Sequence, residues 1–168
     1  DRRWLNVVEE LYQWHCTHER YLRNETPLAR IGLVYSQQTA AYYGGKQAQQ
    51  KVEDPILGAY QTLIEARLPF EMVHDQLLDA GHLKPFKILV LPNLATLSEA
   101  QCQQLRAFVQ AGGGLVATFE TSLYDECGRI RPDFALADLF GVHRTGELQG
   151  PLKNAYLTVH PDTTFPEL

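Results

Sequence analysis

The sequence predicts an α/β protein of flavodoxin-like architecture: a doubly wound, mostly parallel sheet with helices on both faces and a lead helix in front of it. Three observations predict this. The runs 30-RIGLVYS-36, 87-KILVLP-92 and 115-LVATF-119 are short and continuously apolar, as strands covered on both faces are. Segments with apolar residues at three- and four-residue steps alternate with them, which is the order of a wound parallel sheet. The tetrad 98-SEAQ-101 is a capping box, a helix start placed between two of the strands.

Residues 3–23 read as an amphipathic helix, with Trp4, Val7, Val8, Leu11, Trp14, His15, His18, Tyr21 and Leu22 on its stripe. Both tryptophans of the chain lie on this stripe, which needs a cover. Thr26-Pro27 breaks the helix. The first strand follows, and then a polar stretch, 37–53, that is longer than an ordinary connection. Asp54 before Pro55 reads as an N-cap, with Leu57, Tyr60, Leu63 and Ile64 as the apolar face of the next helix. Pro69 ends that helix, and 70-FEMVH-74 is a strand. Residues 75–83 form a short helix or turn before the central strand 87–92. In the capping box Ser98 and Gln101 satisfy each other's free N–H groups, and Leu97 with Cys102 forms the accompanying staple. Cys102, Leu105, Phe108 and Val109 continue as a buried stripe. After the fourth strand comes a polar loop, 120–132; Asp133 caps a short helix over 134–140, and Gly141 stops it. The run 155-AYLTVH-160 reads as a further strand.

The triplet Gly112-Gly113-Gly114 invites a nucleotide-binding reading, and its direction rules against it. A phosphate loop leads from a strand into a helix, whose first N–H groups face the anion. Here a helix leads through glycines into a strand. A helix C-terminus presents carbonyls, the wrong sign for phosphate.

The chain has 168 residues, 45% hydrophobic and 21% charged, with a net charge of −5. That is one core-forming unit. The mild acidity argues against nucleic acid as the main partner, and no apolar run reaches the ~20 residues that span a bilayer. Cys16, Cys102 and Cys127 are too scattered for a disulfide or zinc framework, so a reducing, cytoplasmic compartment is expected, with no metal and no cofactor. His15, His18 and Glu19 share a helical face in an order foreign to zinc peptidases and read as packing groups.

Ligands of wound sheets bind outside the carboxyl ends of the strands. Those ends supply Tyr35, Ser36, His74, Asp75, Asn93, Glu120, Thr121 and Ser122. No hydrolase elbow of the Gly-x-Ser/Cys-x-Gly type follows any strand, and His74-Asp75 reads as the polar end of a strand.

The runs 30-RIGLVYSQQTAAYYGG-45, 87-KILVLPNLATLSEAQCQQLRAFVQAGGGLVATFETSLYDECG-128 and 133-DFALADLFGV-142 carry a further signal. Their pattern, L-x-P-N-x-x-x-L-S, helix, A-G-G-G-L-V, D-E-x-G, resembles the β-galactosidase trimerisation domain of glycoside hydrolase family 42 and its uncharacterised relatives. The resemblance spans about residues 1–145. It implies the class I glutamine-amidotransferase-like version of the fold, at residues 29–168. It also implies an upstream (β/α)₈ barrel that carries two catalytic carboxylates, with residues 1–28 as the connector helix packing on that barrel. In amidotransferases of this fold a nucleophilic cysteine follows the fourth strand. The matching position here is Phe119, an inert aromatic, and Cys127 lies beyond it among acidic neighbours, so no catalytic residue is expected in this chain. The implied work is homo-oligomer assembly and shaping of the barrel's active-site rim, where a carbohydrate passes. Tyr42, Tyr43, Glu120, Tyr124, Asp125 and Glu126, on the two long loops, are the candidates for that contact. The rival readings are an independent small-molecule-binding or enzymatic flavodoxin-like domain, and a plain structural spacer.

Overall fold

In the computed structural model, which describes residues 4–23 and 26–146, four strands form one parallel sheet. They are β1 (Ile31–Tyr35), β2 (Phe70–His74), β3 (Ile88–Leu91) and β4 (Gly114–Ala117), in the order β2-β1-β3-β4. The order explains the apolar runs. β1 and β3 are central, and Leu33, Val34, Leu89 and Leu91 are almost wholly buried. The chain steps outward from β1 to β2, then back across β1 to β3 and on to β4. Right-handed crossovers therefore place α3 (Asp54–Glu65) on one face and α4 (Ala80–Leu83) with α5 (Glu99–Gln110) on the other.

The capping box forms as the sequence predicts. Ser98 Oγ accepts the Gln101 N–H at 3.2 Å, and Gln101 Oε1 accepts the Ser98 N–H at 2.8 Å. Leu97, Cys102 and Leu105 are fully buried in the same cluster as Leu89 and Leu91. At the other end of α5, Gly112 takes the left-handed conformation, φ +94°. The N–H groups of Gly112 and Gly113 return to the carbonyls of Val109 and Phe108 at 2.9 and 3.0 Å. A Cβ on Gly113 would stand 2.2 Å from the Phe108 ring, so the second glycine is required by packing. The glycines close a helix and open β4.

Three expectations need correction. The stretch 37–53 is helical, not a loop. Ser36 caps a short α2 (Gln37–Thr39), which runs into a π turn (Ala40–Gly44); after a break at Gly45, φ +50° and ψ −124°, a 3₁₀ turn (Gly45–Gln47) and a second π turn (Gln49–Glu53) lead into α3. Asp54 is accordingly no N-cap: its backbone is already helical, and its carboxylate accepts from Gln49 Nε2 at 2.9 Å. The wide turn before Pro55 suits a residue that has no N–H to return to the preceding turn. The apolar face of α3 is only partly covered, for Leu63 is buried while Leu57, Tyr60 and Ile64 are exposed. Finally, Asp133 does not cap the last helix. α6 (Ala137–Phe140) starts after Leu136 without a side-chain cap and stops at Gly141. Asp133 instead accepts from the N–H groups of Phe134 and Arg144, at 2.8 and 2.9 Å, and meets His143 Nδ1 at 2.6 Å. The expected strand 155–160 lies outside the described residues.

The lead helix α1 (Trp4–Leu22) has no buried residue. Trp4, Val7, Leu11 and Trp14 are each more than half exposed. No helix among the described residues is long and apolar enough to cross a membrane.

Candidate functional site at the strand carboxyl ends

In this strand order the chain reverses direction between β1 and β3, which is where a wound sheet opens a ligand crevice. Here the segment after β1 turns back across that position and fills it. Ser36 Oγ accepts the Thr39 N–H at 2.8 Å, and its hydroxyl donates to Asp75 Oδ2 at the end of β2. The Gln38 N–H reaches the same carboxylate oxygen at 3.4 Å. Thr39 Oγ1 lies 2.9 Å from Thr96 Oγ1 and accepts the Thr96 N–H at 3.3 Å. Ser36, Thr39, Asp75 and Thr96 are all buried. Every buried side-chain nitrogen and oxygen among the described residues has a hydrogen-bond partner. The crevice therefore holds the protein's own hydroxyls, bonded to one another.

Ser36, Asp75 and His74 bring the residue types of a hydrolase triad together, in the wrong order. His74 Nδ1 is 2.9 Å from Asp75 Oδ1, yet the serine hydroxyl is bonded to the aspartate and not to the imidazole. A triad needs the base at the nucleophile and the carboxylate behind the base. With the hydroxyl held by a carboxylate, the arrangement ties β1 to β2 and caps α2.

Of the six rim candidates, the fold gathers three. Tyr43 donates to Glu120 Oε2 at 2.5 Å, Tyr124 reaches Glu120 Oε1 at 3.5 Å, and the two rings lie 5.0 Å apart. Lys51 Nζ sits over the Tyr43 ring, 4.8 Å from its centroid. Burial, opposed by a hydrogen bond from Asn93 and reinforced by Glu120, holds the Tyr43 phenol well above its usual range. Burial, and then the charge of Glu120, raises Tyr124 as well. Both phenols are therefore neutral donors to one carboxylate. Tyr42 is exposed, and its backbone passes under Gly128, where an added Cβ would stand 2.5 Å from the Tyr42 carbonyl oxygen. Asp125 serves its own turn. Its Oδ1 accepts the N–H groups of Cys127 and Arg129 at 2.9 and 2.8 Å, and these backbone bonds pull its carboxyl below the usual range. Glu126 and Cys127 are exposed at the tip of that turn.

Asn93, which the sequence places at a strand end but not among the rim candidates, organises this edge. It is buried at the end of β3 with φ +47°. Its Nδ2 donates to the Lys51 carbonyl at 2.7 Å, and its Oδ1 accepts the Glu120 N–H at 3.2 Å. One amide thus joins the helical segment after β1 to the turn after β4. The only sequence signal was a polar residue directly after an apolar strand.

Phe119 stands at the corner after β4 with φ +55° and is 57% exposed. A bulky residue in that region is strained by about 1–2 kcal/mol, and such strain gathers at working positions. Ser122, three residues on, is also left-handed, at φ +69°. Cys102 offers no nucleophile, since burial pushes its thiol up to about 11. On α1, His18 Nδ1 bonds to the Trp14 carbonyl at 2.7 Å and its ring stacks on Trp14 at 4.4 Å.

Comparison with known proteins gives a consistent result. The sequence profile of the beta-galactosidase trimerisation domain matches residues 29–157. No curated protein matches the chain in sequence. Among solved structures, the chain is similar to a beta-galactosidase from Bifidobacterium adolescentis with a TM-score of 0.58, at 21% identity, over 68% of this chain and 54% of that one. It is also similar to a catalytic mutant of Gan42B, a GH42 beta-galactosidase from G. stearothermophilus, with a TM-score of 0.52 at 20% identity, over 61% of this chain and 15% of that one. The chain thus spans about half the length of the first structure and a small part of the second. At these identities the likeness is one of fold.

Proposed function

Since the chain belongs to the beta-galactosidase trimerisation domain family, through the match over residues 29–157, we propose that it is the non-catalytic assembly module of a glycoside hydrolase. The observation that carries this reading is the filled crevice. Ser36 is held by Asp75, and an aromatic, Phe119, occupies the strained corner after β4. That geometry supports docking and offers no activated nucleophile. It also disfavours an independent small-molecule site at the β1–β3 reversal.

The surroundings of the module follow from the same reading. Residues 1–28 are the connector to an upstream (β/α)₈ barrel bearing the catalytic carboxylates, and α1 lays its aromatic stripe on that barrel. Tyr42, Phe119 and Glu126 are the exposed groups of the strand-end face; with Tyr43, Glu120, Tyr124 and Asp125 bracing them, they meet the barrel's rim near the carbohydrate. Tyrosine and phenylalanine suit that place, because their faces stack on sugar rings and on protein alike.

The test is direct. The purified chain is examined by sedimentation for association and assayed with aryl glycosides and aryl esters. Concentration-dependent association with no turnover is expected. Turnover that disappears in Asp75→Asn or Cys127→Ala would overturn the reading.

A further inference from the structure

The family match begins at residue 29, beyond α1, so the surface through which copies meet is sought within the sheet domain. Two of its surfaces are apolar, open and oppositely charged.

The first lies between α3 and the outer edge of β2, which no other strand among the described residues pairs. The spacing of Leu57, Tyr60 and Ile64 marks them for burial, yet Leu57 and Ile64 are about half exposed, as is Met72 on the edge strand. An uncovered apolar edge of this kind is normally blunted by charge or by a partner. Tyr60 meets Phe70 edge-on at 5.1 Å and forms a ridge between two grooves of about 460 and 340 Å³. One groove is lined by Glu71 and the other by Glu53. The second surface lies on the opposite face of the sheet, between α4 and α5. It is a groove of about 390 Å³ with Leu83, Phe86, Ala107 and Phe108 at its base and Lys84 and Lys87 at its rim. Asp79 also lines it, but that carboxylate is engaged by His82 Nδ1 at 2.5 Å and by the Gly81 N–H at 3.0 Å. None of Glu53, Glu71, Lys84 and Lys87 makes an ion pair among the described residues.

A closed ring of three identical chains is heterologous: each copy presents two different patches, one to each neighbour. We infer that the α3–β2 face of one copy seats in the α4–α5 groove of the next, with Glu53 and Glu71 facing Lys84 and Lys87. The inference rests on the assembly reading above and adds to it which surfaces meet. The groove beside β4 is a weaker partner for either surface, because no charged side chain lines it.

Charge reversal tests the pairing on the whole chain. Sedimentation equilibrium is measured for the unaltered chain, for K84E/K87E, for E53K/E71K and for the variant carrying all four changes, with far-ultraviolet circular dichroism to establish folding. The unaltered chain is expected to form trimers. Each double reversal is expected to raise the concentration for half-assembly by about tenfold or more, and the fourfold swap to restore it. If the unaltered chain forms trimers and either folded double variant assembles as well as it does, the pairing is wrong and the assembly reading stands. Failure of a folded fourfold variant to recover has the same meaning. If the unaltered chain is monomeric at every concentration, both the contact and the assembly reading fail.

Discussion

Asn93 and Phe119 share an unusual backbone conformation for opposite reasons. Asparagine tolerates φ +47° well, and its buried amide does structural work at both ends. Asn93→Ala leaves the Lys51 carbonyl and the Glu120 N–H without their partner, at a cost of about 1–3 kcal/mol for each group that stays dry. Urea unfolding should show a lower midpoint with an unchanged slope. Phe119 is strained and largely exposed, so Phe119→Gly should stabilise the chain by about 1 kcal/mol, read as a higher midpoint in the same measurement. If Phe119 serves the proposed barrel's rim, the same change in a longer protein that includes that barrel weakens sugar binding, a pairing of effects that plain strain relief does not produce. Little of this was legible beforehand. The sequence places Glu120, Tyr43 and Tyr124 on two separate loops, and their convergence depends on an amide between them in sequence, Asn93, whose partners lie 42 and 27 positions away.

At the scale of elements, whatever is encoded locally was readable. The Ser98–Gln101 box needs four adjacent residues and forms as expected. Ser98→Ala should cost about 1 kcal/mol, measured as a fall in the thermal midpoint, while Ser98→Asp should retain most of it. The segment 37–53 was not readable, because its helix is irregular and lacks a 3.6-residue stripe. Thr39, Gly44 and Val52 face inward from turns of three different widths, and the partner of Thr39, Thr96, lies far along the chain. The tie between Asp133 and residues 143–144 was also hidden, since a capping aspartate and a loop-closing one look alike in sequence. That tie has an acid signature. The backbone N–H of Arg144, the His143 side chain and the Phe134 N–H hold Asp133 at about 2, below its ordinary 3.8. A depressed carboxyl stabilises the fold above its unfolded value and loses that contribution as pH falls through the folded one. Unfolding midpoints followed from pH 4 down to about 2 should therefore fall more steeply for the unaltered chain than for Asp133→Asn.

At the scale of the whole molecule, the wound parallel sheet was legible because apolar runs and crossovers leave few topologies open. What covers the outside was not, since an exposed stripe and a buried one have the same spacing. Both tryptophans lie on α1 and both are exposed, so their fluorescence reports on that helix alone. Emission from the chain by itself should be that of hydrated indole, and it should shift to shorter wavelength in a longer protein that includes the proposed barrel. An unchanged spectrum in that longer protein counts against a connector role for α1. The helical path from Lys46 to Glu65, which starts after the break at Gly45 (φ +50°, ψ −124°), has a further consequence. It joins the Lys51 carbonyl, held by Asn93 at the strand ends, to the outer face of the sheet as one shaft. Removing a single residue between 46 and 53 would turn everything downstream by about 100° and swing Leu57 and Tyr60 away from Met72. Over this stretch the number of residues is under tighter constraint than their identity, and tolerated sequence drift should outnumber tolerated insertions and deletions.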